Sequence, residues 1–141
     1  MEISRIEELG LSPLEGEGGY WRFITQFSQY SSGCIYYLVT KDSFSSLHRL
    51  SCDEMWFFLE GGECEQLLFD EKSGKCEKRI LSSCHRHSLV KEGIWQSTRL
   101  KEGEWALFTT VMCPHYTDDM YSSPDASLLE KYPFLKEYCN G

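Results

Sequence analysis

The chain has 141 residues, of which 41% are hydrophobic and 26% charged, and its formal net charge is -8. That length suits one domain around one core, spanning residues 1–141, and the composition excludes a fibrous or disordered chain. The negative charge is interrupted by no cluster of Lys or Arg, which argues against nucleic acid as a partner.

The first nine residues alternate charges with aliphatics and lack the apolar core of a signal peptide. No later stretch approaches a membrane span. Seven cysteines, an odd number with no C-x-x-C pair, read as reduced thiols, several of them filling strand positions and Cys113 and Cys139 nearer the surface. These features together lead to the expectation of a cytoplasmic protein with no membrane contact.

Residues 3–9 place Ile3, Ile6 and Leu9 three apart, with Gly10 where a helix would stop, so a short helix is expected there. After a turn around Gly16, Gly18 and Gly19, β-prone runs follow at 20–25, 34–40, 47–50, 54–59, 65–69, 77–81, 94–100 and 105–112. The breaks between them carry Asp, Ser, Gly and Lys, the residues of tight turns. Closely spaced strands without intervening helices point to an antiparallel sandwich or barrel. Near the end, Ser123 is placed to cap, and Pro124 to open, a helix with Leu128, Leu129 and Tyr132 on one side and Pro133 closing it.

Two stretches carry candidate chemistry. Strand side chains two apart share a face, so His48 and Leu50 point one way, as do Glu54, Trp56 and Phe58 on the following strand. If those strands pair through the Ser51-Cys52-Asp53 turn, His48 meets Glu54. In the second stretch Gly93 marks a turn, and Ile94, Gln96 and Thr98 share a face.

In this arrangement the chain resembles the cupins. Their first motif has a His, a second His two residues on, a Glu four beyond and a Gly seven further; here the slots hold His48, Leu50, Glu54 and Gly61. Their second motif runs Pro, Gly and a final His; here it holds Lys91, Gly93 and Gln96. The chain is similar over nearly its whole length to one small cupin family of unknown function, in outline like the sugar-nucleotide epimerase cupins. That likeness rests on Glu17-Gly18-Gly19-Tyr20, His48, Asp53-Glu54-x-Trp56, Gly93-x-Trp95-Gln96, Pro114-x-Tyr116 and Leu129-x-x-Tyr132-Pro133. It departs at Glu15-Gly16, where the family has His-Pro, and at Lys91, where the second motif has Pro.

The resemblance implies an all-β fold, a double-stranded β-helix or jelly-roll barrel with short N- and C-terminal helices. It also implies a pocket for a small polar or carbohydrate-like metabolite, with His48 and Glu54 as catalytic candidates. Tyr20, Arg22, Tyr36, Trp56, Trp95 and Gln96 are candidate ligand contacts. Three readings of the central residues stay open. In one, His48, Glu54 and Gln96 with water hold a divalent transition metal, although two of the usual imidazoles are missing. In another they form a His–carboxylate acid–base pair for epimerase- or isomerase-like chemistry, with Tyr36 or Tyr116 as the accompanying Tyr. In the third the barrel is a non-catalytic binding or sensor module, or the pair is a satisfied polar remnant. Arg22 and Arg49 could meet a phosphate or carboxylate. His85 and His87 are expected as surface residues in a loop. The segment 20–27 could extend a partner's sheet, so a homodimer is expected.

Overall fold

In the computed structural model, residues 2–28 and 32–140 are described, the backbone alone for residues 2 and 3, so the Ile3 side chain lies outside the described residues. Helix α1 (Glu2–Leu9) ends where Gly10 takes a φ of 65°, a left-handed conformation glycine adopts without a Cβ penalty. The strands that follow are β1 (Ser12–Pro13), β2 (Tyr20–Gln26), β3 (Gly33–Thr40), β4 (Ser45–Leu50), β5 (Glu54–Gly61) and β6 (Cys64–Asp70). Next come β7 (Lys75–Leu81), β8 (His87–Val90), β9 (Trp95–Leu100), β10 (Trp105–Met112) and β11 (Tyr121–Ser122). Helix α2 (Ala126–Lys131) and a 3-10 segment (Pro133–Tyr138) complete the chain.

The strands form two antiparallel sheets, ordered β1-β2-β3-β10-β5-β8 and β11-β4-β9-β6-β7. Together they make a jelly-roll barrel. Consecutive strands β4 and β5 lie in different sheets, so the Ser51-Cys52-Asp53 link is not a hairpin turn. It crosses between sheets and is pinned to the 91–93 turn, where the Asp53 carboxylate accepts the Glu92 amide at 2.8 Å and the Gly93 amide donates to the Leu50 carbonyl at 2.9 Å. His48 and Glu54 therefore approach from opposite sheets, across the interior.

Strand β8 stands where a loop is expected. Its four residues alternate exposed His87 and Leu89 with buried Ser88 and Val90, and it pairs with β5. A polar Ser88 facing inward hides the alternation that would mark a strand. His85 and His87 are both exposed. At the C-terminal helix the cap is Asp125, whose side chain accepts the Leu128 amide at 2.8 Å, and not Ser123. Pro133 does follow the helix but opens the 3-10 segment.

Each sheet is covered on its inner face and over part of its outer face. Inside the barrel, Trp56, Phe58, Leu68, Leu81, Val90 and Phe108 form the central cluster. Outside the first sheet, Ile6 and Leu9 of α1 pack on Leu38 and Leu107. Outside the second, Leu128, Leu135 and Tyr138 pack on Leu47, Leu67 and Phe69. Each cover removes apolar area from water at about 25 cal/mol per Å², which is how short helices hold to the barrel. The seven cysteines are all free; Cys64 is buried, Cys139 half-buried and Cys113 exposed. No helix among the described residues is long and apolar enough to cross a membrane.

Candidate functional site

The interior is not filled throughout. A cavity of about 390 Å³ opens between β2, β3, β4, β5 and β10, within the usual range for small-molecule pockets. Strand parity decides which side chains reach it. On β2 and β3 the lining residues include Trp21, Phe23, Ile35 and Tyr37; on β4 they are His48 and Leu50; on β5 and β10 they include Glu54, Trp56, Thr110 and Met112.

The turn at residues 14–19 brings a further acid to the wall. Gly18 and Gly19 have φ values of 100° and 74°, and a Cβ at Gly19 would run into the Tyr37 ring. Glycine thus allows the turn to lie against β3, where the Tyr37 hydroxyl donates to the Gly18 carbonyl at 2.6 Å. This approach places Glu17 over the cavity. Its Oε2 accepts the Ser45 hydroxyl at 2.8 Å, and its Oε1 lies 3.9 Å from His48 Nε2.

His48 is 2% exposed. Its Nδ1 lies 2.7 Å from the Ser46 carbonyl, an acceptor only, so Nδ1 carries a proton and donates. In the neutral ring Nε2 is then the basic nitrogen, beside Glu17. Tyr121 of β11 stacks on the imidazole, centroids 5.2 Å apart and planes 9° from parallel. The carboxylate partner of His48 is Glu17, a residue that sequence reasoning quoted in a motif without giving it a role.

Glu54 faces the same cavity and is 8% exposed. Its Oε1 accepts the Trp56 indole N–H and the Gln96 amide N–H, each at 3.2 Å. The same indole also donates to Gln96 Oε1 at 3.1 Å, tying Gln96, which is 1% exposed and directly opposite His48 in the β4–β9 ladder, to Trp56. Burial pushes the Glu54 carboxyl above its ordinary value; His48 pulls the other way, Glu17 adds to the rise, and hydrogen bonds from Thr110 and Gln96 partly offset it. The phenols around it stay protonated. Burial, with Glu17 beside it, holds Tyr37 well above its ordinary value, and burial first, then nearby acids, brings Tyr116 and Tyr121 to about 12.

The structure brings His48, Glu54, Gln96 and Trp56 together, with Gln96 behind Trp56 and Glu54 and outside the cavity lining. It places Tyr20, Arg22, Tyr36 and Trp95 elsewhere. Tyr20 and Tyr36 lie on the outer face of the first sheet beneath α1, and Arg22 donates to the Leu9 carbonyl at 3.0 Å. Trp95 lies on the outer face of the second sheet; its indole donates to Glu71 at 3.1 Å and Arg49 stacks over its ring at 4.6 Å. Each of the four lies one strand position from a residue that does point inward: Trp21, Tyr37 and Gln96 are their neighbours. Alternation counted from Gln96 was the signal that could have moved Trp95 outward, and Tyr116 alone of the two proposed tyrosines lines the cavity.

The donor set does not fit the metal that cupin resemblance implies. Glu54 Oε1 is engaged by the Trp56 and Gln96 N–H groups, the Gln96 oxygen by the same Trp56 indole, and Leu50 occupies the slot of a second imidazole. Among the described residues no three His, Cys, Asp or Glu side chains are grouped to hold a metal ion.

A jelly-roll barrel with an inward His and Glu from two sheets defines the cupin class. The chain belongs to the cupin superfamily family described as DUF985, which matches residues 4–122. Among solved structures it is similar to a hypothetical protein from Leishmania major, with 18% identity, a TM-score of 0.87, and 99% of this chain and 98% of that one covered. It is also similar to a protein from Shewanella oneidensis, with 25% identity, a TM-score of 0.81, and 95% and 91% covered. Oxalate decarboxylase from Bacillus subtilis, whose Mn(II) centres have been described, shares the fold at 14% identity and a TM-score of 0.67 over 94% of this chain and 38% of that one. No functionally curated protein matches the sequence.

Proposed function

We propose that the cavity binds a small organic molecule and that His48 and Glu54 act on it as base and acid, in isomerase- or epimerase-like proton transfer. The observation that carries this reading is the contrast between the two groups. His48 lies with Nδ1 on the Ser46 carbonyl and turns Nε2 to the cavity and Glu17, while burial raises the Glu54 carboxyl above its ordinary value. An imidazole fixed in orientation and a carboxyl that holds its proton more tightly than usual are the pieces by which one site takes and gives a proton. His48 Nε2 removes a proton from the carbon beside a carbonyl, the C–H pair becomes the enol double bond, and the Glu54 proton passes to the carbonyl oxygen. Return of a proton to carbon completes the exchange. Glu17 steadies the imidazolium formed on the way.

The test is proton NMR in D2O with a panel of small carbonyl metabolites that raise the melting temperature of the protein. Wild type is expected to wash deuterium into the C–H position of a bound candidate, and His48→Gln to stop the exchange while the candidate still binds. Binding without exchange by wild type would overturn the acid–base reading and leave a binding module on the same barrel.

The chain also pairs, on our reading, as a homodimer through β2. Among the described residues β1 covers the outer edge of β2 at Tyr20 and Trp21 alone, and Phe23, Ile24 and Phe27 are 52%, 39% and 70% exposed. Light scattering is expected to give twice the chain mass, and Ile24→Lys to lower it; a monomeric wild type would contradict the pairing.

A further inference from the structure

Apart from its histidines, the groups around the cavity that carry charge at neutral pH are acids. Glu17 and Glu54 stand in its buried part, Glu15 and Asp118 at its exposed rim, and among the described residues no Lys or Arg lines it. The arginines closest in sequence to the site are committed elsewhere, Arg22 to the Leu9 carbonyl and Arg49 to Trp95 and Glu71. A phosphate or carboxylate entering here would lose its water while facing acids and no Lys or Arg, which is unfavourable.

The rest of the wall is aromatic. Trp21, Phe23, Tyr37, Trp56, Tyr116 and Tyr121 line the same space, and their π faces attract a cation while their carbon skeletons take up an apolar body. Two histidines also line it. His48 presents Nε2 beside Glu17, and His115 has a buried Nδ1 with no hydrogen-bond partner among the described residues. An unprotonated Nδ1 there would accept from an incoming N–H. The net charge of -8 favours approach of a cation from solution.

We infer that this cavity takes an organic ammonium ion carrying an apolar or aromatic body, with Glu17 as the carboxylate that meets the ammonium group. The inference rests on the reading that the cavity binds a small molecule, and adds the charge class of that molecule. It sets the pocket apart from one built for a sugar nucleotide or for a dicarboxylate, both of which carry negative charge into the barrel.

Titration calorimetry with three compounds that share a ring and differ in charge tests it: tyramine, the neutral 4-ethylphenol, and the anion 4-hydroxyphenylacetate. Tyramine is expected to bind at least about tenfold more tightly than 4-ethylphenol, and 4-hydroxyphenylacetate to give no heat. Glu17→Gln, checked for an unchanged melting profile, is expected to bring tyramine within about threefold of 4-ethylphenol without weakening 4-ethylphenol itself. Equal affinity of tyramine and 4-ethylphenol in wild type, tighter binding of the anion, or no heat from any of the three overturns the inference. Binding of the anion, or of the neutral compound as tightly as tyramine, that is lost in the cavity-filling variant Leu50→Trp would do so while leaving the pocket reading intact. The broader metabolite panel decides that reading independently.

Discussion

Two polar clusters are buried inside this barrel, and they are built on opposite terms. Where β7 meets β8, Gln66 donates to Thr98 at 3.0 Å and accepts from Ser88 at 2.5 Å, and Arg79 closes the seam with bonds to Ser88 Oγ and the Leu89 carbonyl. Apart from that arginine, reaching in from its pair with Glu77, the members are neutral and each has its partner. Across the interior, Glu17, His48 and Glu54 stand around a cavity, and the Glu54 carboxyl is shifted upward by burial. The seam shows how this fold buries polar groups with partners in place; the acid beside the open cavity is desolvated with its carboxyl shifted, which is what the proposed chemistry would use.

The largest expected effect joins the two regions. Trp56 packs edge-on against Tyr37 and Phe108 and donates to Glu54 and Gln96, so Trp56→Ala removes core packing and the anchor of the cavity wall together. Urea unfolding should show a loss of about 3–5 kcal/mol. A loss below about 1 kcal/mol would mean that the wall is not part of the core.

Next comes the seam. Gln66→Leu keeps the volume but strips partners from Thr98 and Ser88, and should cost about 1–3 kcal/mol with the same value at pH 5 and pH 8. A cost that varies with pH would show that a titrating group shares this network.

The cavity should behave in the reverse sense. A carboxyl whose folded value is raised adds relative stability at low pH, below its ordinary value of 4.5, and that stability is lost as pH rises through the folded value. Glu54→Gln, which retains acceptors for Trp56 and Gln96, should therefore melt higher than wild type at pH 8, with the gap closing as the pH falls below about 4.5. A variant less stable than wild type at pH 8 would place Glu54 among the structural residues.

The smallest effect is expected outside the barrel. Arg22→Ala gives up one bond to the Leu9 carbonyl and should change stability by less than about 0.5 kcal/mol and ligand affinity not at all. A loss of affinity would return Arg22 to the site.

The barrel was legible because turn residues punctuate its strands and because His48, Glu54, Trp56 and Gly93 recur at cupin spacing. Side-chain direction was harder. In a sheet with one wet face, polar and apolar residues alternate, but here α1 packs on one outer face and the C-terminal helix on the other, so Tyr36 is as apolar as its inward neighbour Tyr37, and the outward Trp95 is more apolar than the inward Gln96. Glu17 and Tyr121 escaped for a different reason. They arrive from a glycine turn and a two-residue strand, segments with no periodicity to read, and only the folded chain brings them to His48. The β4–β5 link looked like a hairpin because a three-residue gap suits one; the pairing of Asp53 with the 91–93 turn shows why it crosses sheets instead.

The strain on Glu54 can be measured without a ligand. Carbon-detected NMR of 13C-labelled glutamate, with the resonance assigned by its absence in Glu54→Gln, would follow that carboxyl from pH 3 to pH 9. The account predicts a midpoint above the ordinary 4.5. A midpoint at or below it would mean that the cavity imposes no desolvation on Glu54, and the distinction between the two polar clusters would be gone.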